Sequence, residues 1–213
     1  MCFHSKQTKK AQEVENRFNA IIEDIENFKP SANINGFDFG LNPVIIDETP
    51  NSITHYNWGL IPTWAHDEDI QKFTLNAKIE TLDEKPSFRN SVNKRCLVIA
   101  NGFYEWQWLD SKGKSKLKYE IGIGNEDLFA FAGIYSQWIN EITGEVKDTY
   151  AIVTTVANAL MSEIHNIKKR MPIILKPEDE SKWLNHTPYQ EFAFPYEVNL
   201  KATCLDNNQG MLF

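Results

Sequence analysis

Five segments of this sequence hold residue types that can form bonds or move protons. The first is Cys2. Removal of Met1 would give Cys2 an α-amine and a thiol on adjacent carbons. An α-amine titrates at roughly 7.7–8.0, so a usable fraction is neutral near pH 7. A neutral amine attacks an aldehyde to give an imine, and the thiol can then close on the imine carbon as a five-membered thiazolidine. An incidental cysteine behind an initiator methionine is the other reading. The second segment is Gly102-Phe-Tyr-Glu105-Trp106-Gln-Trp108, a glutamate in an aromatic strand. Burial there would raise its pKa and let it donate a proton near neutrality. A strand with Glu105 facing water fits the same alternation.

The third segment runs from Leu160 to Pro172. His165 ends a short helix, and Lys168, Lys169 and Arg170 follow. A histidine beside three cations can combine acid/base chemistry with phosphate binding. It also fits a helix cap on a solvated face. The fourth is Leu75-Asn76-Ala77-Lys78, where an asparagine amide could orient a nucleophile or a phosphate, or serve a turn. The fifth is Trp58-Gly-Leu-Ile-Pro62-Thr-Trp64, a rigid loop whose tryptophans either stack on bases or pack the interior.

Strands must position most of these groups. Val44–Ile46, Ile53–Leu60, Cys96–Ala100, Phe103–Trp108, Leu128–Ile134, Tyr150–Thr155 and Met171–Leu175 read as strands. Asp110-Ser-Lys-Gly113 signals a hairpin turn. Beyond it Lys114, Lys116 and Lys118 alternate with Leu117, Tyr119 and Ile121, so the lysines share one strand face. Helical spacing of Val14, Phe18, Ile21, Ile22 and Ile25 predicts a helix over 10–28. Short helices are expected at Asn158–His165 and Glu178–Leu184, with weak helical character over 80–91. The order is not a regular βαβ alternation. The expected class is α+β, with a mostly antiparallel, barrel-like sheet decorated by helices and residues 1–213 as a single domain.

Composition narrows the function. The 213 residues carry a net charge of −7, so the surface as a whole is not a polycation and nucleic acid would need a local basic patch. Three separated cysteines, Cys2, Cys96 and Cys204, argue against a disulfide framework and for a reducing, cytoplasmic setting. The five histidines (4, 55, 66, 165, 186) form no ligand cluster, so neither metal nor cofactor is expected. The N-terminus has no apolar secretory region, and no apolar run is long enough to span a membrane.

Five ordered blocks resemble the SRAP family, the SOS response-associated peptidases or abasic-site processing proteins. They are Met1-Cys2, Trp-Gly-Leu-Ile-Pro-Thr-Trp-Ala (58–65), Asn-Ala-Lys-Ile-Glu-Thr (76–81), Asn-Gly-Phe-Tyr-Glu-Trp (101–106), and Ile-His followed by Arg-Met-Pro-Ile-Ile-Leu within 164–175. The resemblance implies a monomeric α+β domain that binds single-stranded DNA and captures an abasic site as a thiazolidine crosslink. It also implies loss of Met1 by self-cleavage, an autopeptidase activity, with a possible lyase side reaction. Carried over to this chain, it makes Cys2 the nucleophile, Asn76 its holder, Glu105 the proton shuttle and His165 the second acid/base. Trp64, Lys78 and Arg170 would line the DNA path, together with His4, Trp106, Lys168 and Lys169, and Thr154 would touch a phosphate.

Three positions depart from the family pattern. Phe3-His4 stands where the family usually has Gly-Arg, Lys78 stands for an arginine, and Ile167-Lys168-Lys169 lengthens the loop between His165 and Arg170. Two other readings stay open on the residues alone. One is a noncatalytic single-strand nucleic-acid module using Trp64, Trp106, Trp108 and the lysines. The other is an N-terminal cysteine amidohydrolase.

Overall fold

The computed structural model describes residues 2–124 and 127–206. Met1, and with it the expectation that it is removed, lies outside the described residues. Thirteen strands and three α-helices run β1 (His4–Gln7), α1 (Ala11–Phe18), β2 (Ile21–Ile22), β3 (Ser31–Asn35), β4 (Leu41–Ile46), β5 (Ser52–Trp58), β6 (Asn76–Lys78), β7 (Arg95–Ala100), β8 (Gly102–Trp108), β9 (Lys116–Gly122), β10 (Phe129–Ile139), β11 (Val146–Val156), α2 (Ala159–Ile164), β12 (Arg170–Pro172), α3 (Glu180–Leu184) and β13 (Lys201–Cys204) among the described residues.

Five strands close a barrel in the order β11-β10-β7-β4-β5. Four seams are antiparallel, and the closing β5–β11 seam is parallel. Closure removes the free sheet edges that would otherwise invite pairing with another chain. Alternate residues of the barrel strands feed two apolar clusters, as period 2 requires. Leu97 and Ile99 of β7 join Ala130, Ala132 and Ile134 of β10, together with Val14 of α1 and Trp183 of α3. Cys96, Val98 and Ala100 join Phe129 and Phe131, together with Cys2, Phe103, Ile121 and Met161. A second sheet, ordered β13-β9-β8-β1-β3, lies over this second cluster and carries the N-terminus at its centre. The α+β, barrel-like expectation holds.

The helix expected over 10–28 is much shorter. It ends at Asn19, which adopts a left-handed backbone (φ +50°) and donates its N–H to the Glu15 carbonyl. Ile21–Ile22 then pairs with β5 as a strand, and Ile25 starts a single 3-10 turn. The apolar spacing that suggested one helix is shared between two elements. Ile21 and Ile25 face solvent, and Val14 is the buried helical position. Residues 80–91 hold only short 3-10 turns. Strands β1, β3, β6 and β13 had no clear signal. β1 reads His-Ser-Lys-Gln, yet Ser5, Lys6 and Gln7 are all buried, with Lys6 paired to Glu120.

Candidate active site

The centre of the second sheet brings the N-terminus to Glu105. β1 pairs antiparallel with β8, His4 opposite Tyr104 and Ser5 opposite Phe103. Just before β1, Phe3 lines one cleft with Glu105, and Cys2 lies within reach of the Glu105 charge. Cys2 is fully buried, and burial together with the negative charge of Glu105 pushes its thiol above the ordinary range, so the sulfur is held as S–H. The thiol contacts the His4 carbonyl at 3.6 Å.

Asn76 reaches the same point from the barrel. β6 runs parallel to β11, with Asn76 opposite Ile152. The preceding carbonyl, Leu75 O, accepts a hydrogen bond from the buried Trp58 indole at 2.9 Å. Trp58 in turn stacks on Tyr150, with ring centroids 6.1 Å apart. The next residue, Gly59, has φ +116°, and a Cβ there would stand 3.0 Å from the Gln71 Cβ, so this turn requires glycine. The Trp-Gly pair therefore supports the segment that aims Asn76. The Asn76 side-chain N–H donates to the Cys2 carbonyl at 2.8 Å. Its buried Oδ1 has no partner among the described residues.

Glu105 and His165 line one cleft of about 260 Å³, with Phe3, Trp106, Trp108 and Lys168 around them. Burial raises the Glu105 carboxyl to about 7, so near neutrality it divides between acid and carboxylate. His165 is depressed to about 4, by burial first, with neighbouring positive charges, Lys168 and Arg170 among them, adding smaller effects. Its Nδ1 lies 2.9 Å from the Arg170 carbonyl. The Arg170 N–H also reaches Nδ1, at 3.2 Å, so the Arg170 backbone offers a partner to either tautomer, and the tautomer with its proton on Nδ1 leaves Nε2 as the basic nitrogen. The pair is thus a carboxylic acid near its midpoint, suited to passing protons at pH 7, beside a neutral imidazole.

The lengthened loop closes back on His165. Lys169 takes φ +47°, and the Lys169 N–H returns to the His165 carbonyl at 2.9 Å. The imidazole therefore still meets the Arg170 backbone. Asn166 ties the loop to the end of β8 through both backbone groups of Trp108. Its side-chain type gave no warning of that task.

The remaining expected residues fall into two groups. Trp106 and Lys168 line the cleft. His4 sits edge-on to Trp106 at 5.0 Å, and burial lowers its pKa, so it is a neutral group. Lys169 and Lys78 are exposed. Trp64 is half-exposed and donates its indole N–H to the Pro86 carbonyl, away from the cleft lining. Arg170 and Thr154 are buried. The Arg170 guanidinium bonds both Glu80 carboxylate oxygens, at 2.7 and 2.8 Å, and the Thr154 carbonyl at 2.7 Å. Thr154 donates its hydroxyl to the Ala77 carbonyl. Both side chains thus take their hydrogen-bond partners from within the fold. Glu80, which draws Arg170 inward, had no distinguishing signal beyond its place in the 76–81 block. A larger cavity of about 360 Å³ beside Phe28 and His55 holds none of the four catalytic candidates. Among the described residues, no group of three or more His, Cys, Asp or Glu could hold a metal, and no helix is long and apolar enough to cross a membrane.

Comparison with known proteins gives the arrangement a family. The model for the SOS response associated peptidases (SRAP) matches residues 1–204. This chain belongs to the SRAP family. The abasic site processing protein YoqW of Bacillus subtilis (strain 168) is 47% identical over 143 residues, 67% of this chain and 61% of YoqW. The abasic site processing protein HMCES of Xenopus tropicalis is 31% identical over 159 residues, 65% of this chain and 47% of that protein. The matched part thus spans about three fifths of YoqW and under half of HMCES. A crystal structure of a Bacteroides thetaiotaomicron protein superposes with a TM-score of 0.86 at 35% identity, covering 97% of this chain and 93% of that one. A Bordetella bronchiseptica protein at 22% identity shares the fold, with a TM-score of 0.80.

Proposed function

We propose that this SRAP protein captures abasic sites in single-stranded DNA as a covalent thiazolidine, using Cys2 after Met1 has been removed by self-cleavage. One observation carries the reading. The residue that would become the N-terminus is clamped by Asn76 and lies against a carboxyl group that titrates at about 7. The names of the YoqW and HMCES relatives agree with it.

An abasic sugar is mostly a closed hemiacetal. Neutral His165 takes the C1′ hydroxyl proton as the C1′–O4′ bond breaks to give the aldehyde, and the imidazolium returns that proton to O4′, which becomes the free 4′ hydroxyl. The Cys2 amine adds to the aldehyde carbon and gives a carbinolamine. Protonated Glu105 gives its proton to the departing hydroxyl, which leaves as water, and an iminium remains. The Glu105 carboxylate then accepts the Cys2 thiol proton, and the sulfur closes on the iminium carbon. One water is released and Glu105 recovers its proton, so the cycle needs no metal or redox partner. The thiol is protonated at rest, which gives Glu105 both tasks in turn. Lys116 and Lys168 at the cleft rim meet the phosphates. The protein acts as a monomer on DNA in the cytoplasm.

The test is to incubate Met1-free protein with single-stranded DNA carrying one abasic site. A heat- and detergent-stable adduct is expected, and Cys2→Ala abolishes it. Equal adduct formation by Cys2→Ala would overturn the assignment. DNA shortened by strand cleavage, with no adduct, would indicate a lyase that stops at the imine.

A further inference from the structure

We infer that Phe3 and Phe37 form a stacking subsite at the mouth of the cleft for the unpaired nucleobase next to the reacting sugar. The inference rests on the abasic-site reading and names the part of the strand that reading leaves unplaced. Phe3 lines the cleft with Glu105 and His165. The Phe37 ring lies 5.0 Å from the Phe3 ring at 41°, and 47% of the residue is exposed. An aromatic ring left half in water beside a cleft gains most from a flat apolar partner.

The exposure is built in. Phe37 sits in a 3-10 turn (Gly36–Asp38) with a bond at every corner. The Asn35 side chain accepts the Phe37 N–H at 3.2 Å and donates to Asp38 at 3.0 Å. The Gly36 N–H bonds the Phe3 carbonyl at 2.8 Å, and the Phe39 N–H bonds the Gly36 carbonyl at 3.1 Å. Gly36 itself is buried, where an added Cβ would stand 3.2 Å from the Trp58 ring. The ring therefore cannot fold back into the interior without breaking the turn.

Charge decides which part of the strand it meets. β1 separates β3, which leads into Phe37, from β8 and β9. On the β9 side, Lys116 and Lys118 lie over Trp108 and Tyr104 at 4.8 and 4.2 Å. On the Phe37 side, His4 is neutral and bonds Asn33. Phosphates go to the lysine flank, and the base goes to the aromatic flank. Every base has a π-face, so the subsite accepts any base and rejects a position that lacks one.

The test is a cycle of two changes read by binding. Fluorescent single strands carry an unreactive tetrahydrofuran abasic analogue, flanked either by normal nucleotides or by further tetrahydrofuran on one side or the other. Wild-type affinity should fall about 5- to 20-fold when the base on one side is removed. Phe37→Ala should bind the normal strand weaker by a similar factor and ignore the flanking base, while Phe37→Trp keeps the dependence. Wild-type affinity that ignores both flanking bases overturns the subsite, even where a reactive strand still forms its adduct. Affinity that depends on both the base and Phe37, without any adduct on a reactive strand, upholds the subsite and overturns the crosslinking chemistry.

Discussion

Asn166 grips both backbone groups of Trp108. Its Oδ1 accepts the Trp108 N–H at 3.2 Å, and its Nδ2 donates to the Trp108 carbonyl at 2.8 Å. Trp108 ends the strand that carries Glu105, and Asn166 follows His165. One side chain thus sets the spacing of the proposed acid and base. Asn166→Ala removes two bonds and should cost about 1–3 kcal/mol in chemical denaturation. Adduct formation should slow about tenfold, because loosely held groups lose the benefit of orientation. Asn166→Asp keeps the acceptor and should fall between.

Glu105 gives stability a defined pH dependence. Its folded pKa of about 7 lies above its ordinary 4.5, so the folded state favours the protonated form. The stability it contributes is complete below pH 4.5 and is lost as pH rises through 7. The loss is about 3 kcal/mol at most. Glu105→Gln should abolish that loss in urea titrations at pH 5 and pH 8. Adduct formation should follow a bell, rising as the amine loses its proton and falling as Glu105 loses its own. Glu105→Gln removes the falling limb and lowers the rate roughly 10²- to 10⁴-fold.

His165 acts in the opposite direction. Its folded pKa of about 4 lies below the ordinary 6.5, so its contribution is complete above 6.5 and is lost as pH falls toward 4. Melting temperatures of wild type and His165→Gln should run parallel above pH 7. Between pH 6.5 and 4, the wild type should fall more steeply.

Glu80 neutralises the buried Arg170 guanidinium. Glu80→Ala leaves that cation with only the Thr154 contacts. It should cost about 2 kcal/mol, less than for a fully buried pair because water reaches the Glu80 carboxylate. A drop of less than about 0.5 kcal/mol by denaturation would mean that Arg170 finds another partner.

With Arg170 paired to Glu80, Lys116 and Lys168 are the cations lining the cleft, and Lys118 lies over Trp106 beside it. Contacts to three phosphates give a salt slope of about −2 for a single strand. Lys168→Ala should weaken binding of all sequences alike and reduce the slope by about 0.7. Anisotropy titrations between 50 and 200 mM salt, roughly a Debye length of 14 to 7 Å, read both values.

The chain by itself determined the fold class and singled out the candidate residues. Period-2 runs in β7, β8, β10 and β11 were long and apolar enough to specify strands, because burying them is the main gain of folding. Cys2, Asn76, Glu105 and His165 stood out by residue type within ordered blocks. Three things depended on contacts between distant segments. The polar run His4–Gln7 became a central strand only because Glu120 and Asn101 satisfy its buried groups. The helix after Lys10 stopped at Asn19 because Ile21–Ile22 gains more by pairing with β5. The pairing of the Arg170 guanidinium with Glu80, ninety positions away, left no mark in the local sequence. Local spacing encodes which face a residue presents, whereas a pKa or an ion pair depends on what the fold packs against that face.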